Sequence, residues 1–119
     1  MQKKILVVDD DPLYLDLVRD VFAGQDIEIV SATTGAEALS LLKTQVPSLI
    51  ISDFEMPGIN GIEFHSQLQK EERSRDIPFV FMTGSADQSL TRYVQQLKIR
   101  VFSKNNLTHE LFRLLNEVL

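Results

Sequence analysis

The sequence has no cysteine among its 119 residues, so a disulfide scaffold, a thiolate zinc site and a cysteine nucleophile are excluded together. It also has no long apolar run. Nothing approaches the ~20 residues of a membrane-spanning helix. The apolar run after Lys3-Lys4 ends in acid at Asp9, too soon for the core of a secretory signal. Positive charge is short as well: 12 Lys and Arg against 17 Asp and Glu leave a net charge of −5, which argues against a large basic face for nucleic acid. Repeats, low-complexity stretches and linkers are absent. The expectation is a cytoplasmic protein that binds neither membrane nor nucleic acid directly.

What is present reads as one ordinary globular domain over residues 1–119, with 44% apolar and 24% charged residues. A chain of this length buries roughly 65% of its unfolded surface and needs no staple. Apolar strand runs alternate with amphipathic stretches. Ile5-Leu6-Val7-Val8, Leu49-Ile50-Ile51-Ser52 and Phe79-Val80-Phe81-Met82 are continuous apolar runs of the kind buried on both faces of a sheet, and shorter strands fall at Ile27–Ala32 and Val101-Phe102. Pro12 suits a first helical turn; Leu13, Leu17 and Val21 recur beside Val18 and Phe22, and Gly24 stops that helix. Thr34-Gly-Ala-Glu37 and Asn60-Gly-Ile-Glu63 have the form of capping boxes, for helices carrying Ala38, Leu39 and Leu42, and Ile62, Phe64 and Leu68. Asp87 caps a helix with Leu90, Val94 and Leu97 on one face, and Leu111, Phe112, Leu115 and Val118 form the last, from near Thr108. Lys70–Asp76 reads as a solvated helix end or loop. Five strands alternating with five helices predict an α/β fold, a mainly parallel sheet with helices on both faces.

Ligand sites in open α/β sheets collect beyond the carboxyl ends of the strands. Here those ends deliver Asp9 and Asp10 from strand one, Asp53 from strand three, Thr83 from strand four and Lys104 from strand five. Two like charges ~4 Å apart repel by about 4 kcal/mol at an effective dielectric near 20. Three carboxylates in one crevice therefore need raised pKa values or a divalent cation. Oxygen ligands favour Mg²⁺, Mn²⁺ or Ca²⁺, and magnesium characteristically combines few carboxylates with a phosphate. A carboxylate is also a competent nucleophile towards phosphorus. Asp53 is the best-placed nucleophile, Asp9 and Asp10 hold the metal, and a backbone carbonyl near Glu55 adds a ligand. Thr83 is positioned to donate to a phosphoryl oxygen, Lys104 to neutralise transition-state charge, and Gly84 to let backbone N–H approach.

Val7-Val8-Asp9-Asp10-Asp11-Pro12, Ser52-Asp53-Phe54-Glu55-Met56-Pro57-Gly58-Ile59-Asn60-Gly61, Met82-Thr83-Gly84-Ser85 and Lys104 together resemble the receiver domain of bacterial two-component response regulators, over the whole chain and in the family's order. The Asp-x-x-Met-Pro-x-x-x-Gly run is the specific part. The resemblance implies a flavodoxin-like doubly wound sheet of order 2-1-3-4-5. It implies Asp53 as phospho-acceptor, Asp9 and Asp10 as the Mg²⁺-binding acidic pair, Thr83 as the switch hydroxyl and Lys104 as the site lysine. Glu55 and Ser85 would tune the phosphoryl lifetime. The donor would be a phosphohistidine on a sensor histidine kinase or phosphotransfer protein, and the output a downstream partner or fused domain, with homodimerisation through the fourth helix, fifth strand and fifth helix as a family option. Such a chain is a signalling domain and not an enzyme. Two positions depart from the family: Val101 stands where receivers carry Tyr or Phe, and Asn105 follows the lysine in place of proline. The Asn105 peptide is expected trans, because a non-proline cis bond costs about 2.5–4 kcal/mol.

Blander readings suit other residues. Asp11, before Pro12, is a helix cap; Phe102 is core; His65 and His109, without a metal-ligand partner, are expected in solvent. Two rival functions share the acidic set: a receiver fold acting as a phosphorylation-independent binding module, which Val101 and Asn105 motivate, and a metal-dependent phosphatase, which Asp53-Phe-Glu55 superficially suggests.

Overall fold

Each apolar run becomes a strand, and each amphipathic stretch a helix laid against it. The computed structural model describes residues 3–84 and 88–118, with side chains through residue 117. The elements are β1 Lys3–Val8, α1 Pro12–Val21, β2 Ile27–Ala32, α2 Gly35–Leu41, β3 Leu49–Asp53, α3 Gly61–Gln69, β4 Phe79–Thr83, α4 Gln88–Leu97, β5 Arg100–Ser103, a 3₁₀ turn Lys104–Asn106 and α5 Leu107–Val118. The expectations for Ser85, for Asp87 as a cap and for the Val118 side chain lie outside the described residues.

The strands form one parallel sheet in the order β2-β1-β3-β4-β5, the doubly wound order that was expected. Alternate residues of each strand supply opposite faces, as the two-residue strand period requires. Ile5, Val7, Leu49, Ile51, Val80, Met82 and Phe102 meet α1 and α5 on one side. Leu6, Val8 and Ile50 meet α2 and α3 on the other, continued by Phe81 against Leu90 of α4. Both faces are covered, which is why the strand sequences are apolar without alternation.

Local chemistry sets the helix starts. Asp11 caps α1, its Oδ1 accepting from Leu13 N–H at 3.0 Å, with Pro12 as the first helical residue. Thr34 Oγ1 accepts from Glu37 N–H at 3.1 Å, and Glu37 Oε1 accepts in return from Thr33 N–H at 2.7 Å, one residue before the cap. Asn60 Oδ1 accepts from Glu63 N–H at 2.9 Å. Gly24 follows α1 in the left-handed region, φ +85°. No cis peptide occurs among the described residues, so Asn105 is trans as expected.

The helix faces needed correction. In α1 the buried residues are Leu15, Val18 and Val21, while Leu13 is 63% exposed. A repeat of four drifts by about 40° per step on a helix of 3.6 residues per turn, so Leu13 and Val21 cannot share one narrow stripe. The same geometry turns Phe112 of α5 outward and buries Leu107, Leu111 and Leu114. Leu97 shares the stripe of Leu90 but is the last residue of α4, and it is exposed. α5 begins at Leu107, and Lys104 stands just beyond β5 in the 3₁₀ turn. Within the polar stretch before β4, Ser74 is buried, its hydroxyl donating to Leu68 O at 2.7 Å.

His65 is the largest departure. Expected in solvent, it is 5% exposed, with its ring against Phe79 (centroids 4.7 Å apart), and its Nδ1 shares a 2.7 Å hydrogen bond with the Tyr93 hydroxyl. A neutral imidazole can be buried when its polar atoms find partners, and here Tyr93 ties α4 to α3. Burial pushes the His65 pKa below 6.5 and that of Tyr93 above 10. The unfolded chain therefore takes up the His65 proton first. The stability that a neutral His65 contributes is intact above pH 6.5 and declines as the pH falls below it. Tyr93→Phe should cost about 1 kcal/mol in urea denaturation at pH 8. His65→Gln should flatten the fall in stability between pH 7 and pH 6, which Tyr93→Phe should retain.

Candidate functional site

A parallel sheet points all its strand carboxyl ends to one edge. At that edge Asp9, Asp10, Asp11, Tyr14, Asp53, Glu55, Met56, Pro57, Thr83, Gly84 and Lys104 line an open cavity of about 610 Å³. Asp9 directly follows β1 and is continued into the sheet by its N–H, which donates to Ala32 O at 3.0 Å. Asp53 is the last residue of β3, paired with Met82 of β4. Thr83 closes β4 and faces Ser103 of β5, one residue before Lys104. The residues singled out in the sequence are thus brought to one cavity.

Asp9 is fully buried and Asp53 is 6% exposed, whereas Asp10 is exposed. Oxygens of Asp9, Asp10 and Asp53 lie within 4.8 Å of one another. Lys104 Nζ reaches in to 2.8 Å from Asp9 Oδ2 and 3.3 Å from Asp53 Oδ1. Asp9 Oδ1 accepts from Asp11 N–H at 2.9 Å, but the buried Oδ2 has no aligned hydrogen-bond donor among the described residues and is held by the ammonium charge. Three carboxylates face one ammonium, an excess of two negative charges in a partly dry site.

The titration of the site follows from its burial first and from that excess second. Burial, and after it the Asp9 carboxylate, raise the Asp53 pKa to about 6, against the opposing pull of Lys104 and of the Glu55 backbone N–H. Burial alone would lower the Lys104 pKa, but the close Asp9 carboxylate and the charge of Asp53 outweigh that and hold it above 10.5. One cation gains from two anions, while Asp53 has too little positive charge near it.

The donor set fits a hard divalent cation: all oxygen, tightly clustered, over-charged, with one buried carboxylate oxygen short of a donor. Glu55 is exposed on the cavity rim, and its carboxylate is outside the three-residue oxygen cluster. Its backbone is next to the cluster, since its N–H reaches Asp53.

The glycine of the Met-Pro-x-x-x-Gly run has a packing reason. A Cβ at Gly61 would lie 2.8 Å from Asp53 O and 2.9 Å from Phe54 Cα. α3 can start directly behind Asp53 only because residue 61 has no side chain, and its N–H donates to Phe54 O at 2.7 Å. Ser52 Oγ donates to Asp53 O at 2.9 Å, fixing the same strand end. At Gly84 a Cβ would make ordinary contact with Lys104 Cδ at 3.8 Å, so packing does not demand glycine there.

Tyr14 was missed in the sequence. Its ring lies under the Lys104 ammonium, 4.0 Å from Nζ to the centroid. Helical spacing from Asp10 and Asp11, one turn earlier, could have marked it as facing the cavity.

Comparison with known proteins agrees with this geometry. The family profile described as response regulator receiver domain matches residues 5–116. The polar-differentiation response regulator DivK of Brucella ovis is 33% identical over 86 residues, covering 72% of this chain and 70% of that protein. The chemotaxis response regulator CheY4 of Vibrio cholerae superposes with a TM-score of 0.87 at 23% identity, covering 100% of both chains. The Mn²⁺-bound form of response regulator Rcp1 superposes with a TM-score of 0.83 at 22% identity, covering 97% of this chain and 93% of that one.

The raised Asp53 pKa has a measurable consequence. Asp53 loses its proton at 3.8 when unfolded and at about 6 when folded. Its contribution to stability is present below 3.8 and lost as the pH rises through 6. Without metal, Asp53→Asn should therefore be more stable than wild type at pH 8, by roughly 1–3 kcal/mol. The gain should vanish at pH 4, as measured by thermal or urea unfolding at the two pH values.

Proposed function

The chain belongs to the response regulator receiver family, and we propose that it takes a phosphoryl group onto Asp53 in a Mg²⁺-dependent reaction and thereby switches the binding of a partner. The observation that carries this reading is the convergence of Asp9, Asp10, Asp53 and Lys104 at one strand edge. The domain spans residues 1–119 and works in the cytoplasm. Its donor is a phosphohistidine on a sensor histidine kinase or phosphotransfer protein, and its output is a downstream protein or a fused domain. It signals by carrying the group, without turning over a substrate.

Asp53 is ionised above about pH 6 and offers an oxygen lone pair at the open side of the cavity. That oxygen forms the new O–P bond as the P–N bond of the phosphohistidine breaks, and the electron pair leaves with the imidazole. Asp9, Asp10 and Asp53, with the Glu55 backbone carbonyl, would hold Mg²⁺, which supplies positive charge to the phosphoryl oxygens when bound. The Mn²⁺ reported for Rcp1 supports a divalent ion here. Lys104, already between Asp9 and Asp53, neutralises charge on the transferred group, and Thr83 donates its hydroxyl to a phosphoryl oxygen.

Val101 favours a second reading, a receiver fold that binds its partner without phosphorylation. The residue packs with Phe81 on the α4 side of the sheet, where an aromatic switch is lacking. One experiment separates the two. After incubation with Mg²⁺ and acetyl phosphate, intact mass should show one phosphoryl group on wild type and none on Asp53→Asn. An unmodified wild type that also fails to bind the mimic beryllofluoride would leave the binding module as the better reading.

A further inference from the structure

The Tyr14–Lys104 contact belongs to the cavity but has no part in the roles given above. Resting on the receiver reading, we propose that Tyr14 is a positioning residue for Lys104, its ring face holding the ammonium beside Asp9 and Asp53 through a cation–π contact. Lys104 rises from the turn after β5 and is 11% exposed at its side chain; Tyr14 comes from the first turns of α1 and is half-buried. An ammonium has three donors. The two carboxylate oxygens, Asp9 Oδ2 at 2.8 Å and Asp53 Oδ1 at 3.3 Å, attract it by charge, and the ring centroid 4.0 Å away adds a further contact.

A lysine side chain has four rotatable bonds and a strongly hydrated head. With only carboxylates to hold it, this head would shift whenever Asp53 changed its charge on gaining a phosphoryl group. The ring is neutral, does not change with the state of Asp53, and excludes water from one side of the ammonium. It therefore keeps Nζ aimed at the reacting oxygen before and after transfer, the preorganisation that makes a charged group effective. The contact is electrostatic, so ring electronics decide it as well as ring shape.

The test uses the full chain and three variants: Tyr14→Phe, which keeps an electron-rich ring; Tyr14→Leu, which removes it; and Tyr14→pentafluorophenylalanine, which keeps the shape and reverses the ring quadrupole. Initial rates of phosphoryl uptake from acetyl phosphate with Mg²⁺ are read by intact mass. The Lys104 Hε chemical shift is read by NMR without phosphodonor or metal, and melting temperatures report folding. The expected result is a Tyr14→Phe rate within twofold of wild type, with Tyr14→Leu and the pentafluoro variant slower by roughly three- to tenfold. Upfield-shifted Lys104 Hε protons are expected in wild type and Tyr14→Phe, and unshifted ones in Tyr14→Leu. An unshifted Lys104 in wild type, or a pentafluoro variant as fast as Tyr14→Phe, would overturn the proposal. A wild type that took up no phosphoryl group would refute the receiver chemistry, and the NMR shifts would still decide whether Tyr14 holds Lys104.

Discussion

Like-charge crowding at the carboxyl edge of the sheet is the constraint on which the rest of the site depends. Asp9 and Asp53 are placed by buried strands that have no freedom to move apart, and Asp10 adds a third carboxylate on the solvent side. At the separations found, each added charge costs on the order of a few kcal/mol even with generous screening. A fold with a marginal total stability of about 5–15 kcal/mol carries such a cluster only when something offsets it. Lys104 offsets part, while burial and, after it, the Asp9 charge still hold the Asp53 pKa up at about 6. The remainder is what a divalent ion would answer.

Most of the architecture that delivers these charges was legible in the sequence, because buried parallel strands and capped helices leave local signals. The runs at Ile5, Leu49 and Phe79 became strands, Thr34 and Asn60 capped their helices, and the carboxylates at the strand ends met as their spacing implied. The faces of the helices were less legible. Leu13 and Leu15, like Phe112 and Leu114, lie two residues apart and about 200° round the helix, and which of each pair faces the core only packing settles. His65 escaped for a related reason: its burial depends on a hydroxyl 28 residues away, on Tyr93 of another helix. Tyr14 escaped because an aromatic residue in an amphipathic helix looks like core until the cation beside it is seen.

The family match and the departures from its pattern bear on different parts of the molecule. The profile match and the fold cover the site and the sheet alike. Val101 packs beside Phe81 on the α4 side of the sheet, and Asn105 stands in the turn before α5. Phe79, Phe81, His65 and Tyr93 form a continuous set of ring contacts from β4 through α3 to α4. Thr83 is the next residue but one along β4 from Phe81, on the same strand face. That aromatic cluster is fastened by the His65–Tyr93 hydrogen bond, and β5 carries Val101 beside Phe81.

On the proposed reading, excess negative charge at the strand ends is what attracts a divalent ion to the site. Mg²⁺ affinity, read from backbone amide shifts at pH 7.5 in wild type, Asp10→Asn and Lys104→Met, tests it most directly. Binding should be weaker by at least ~10-fold in Asp10→Asn and tighter than wild type in Lys104→Met, since one variant removes a negative charge and the other the opposing positive one. An affinity indifferent to both substitutions would contradict it.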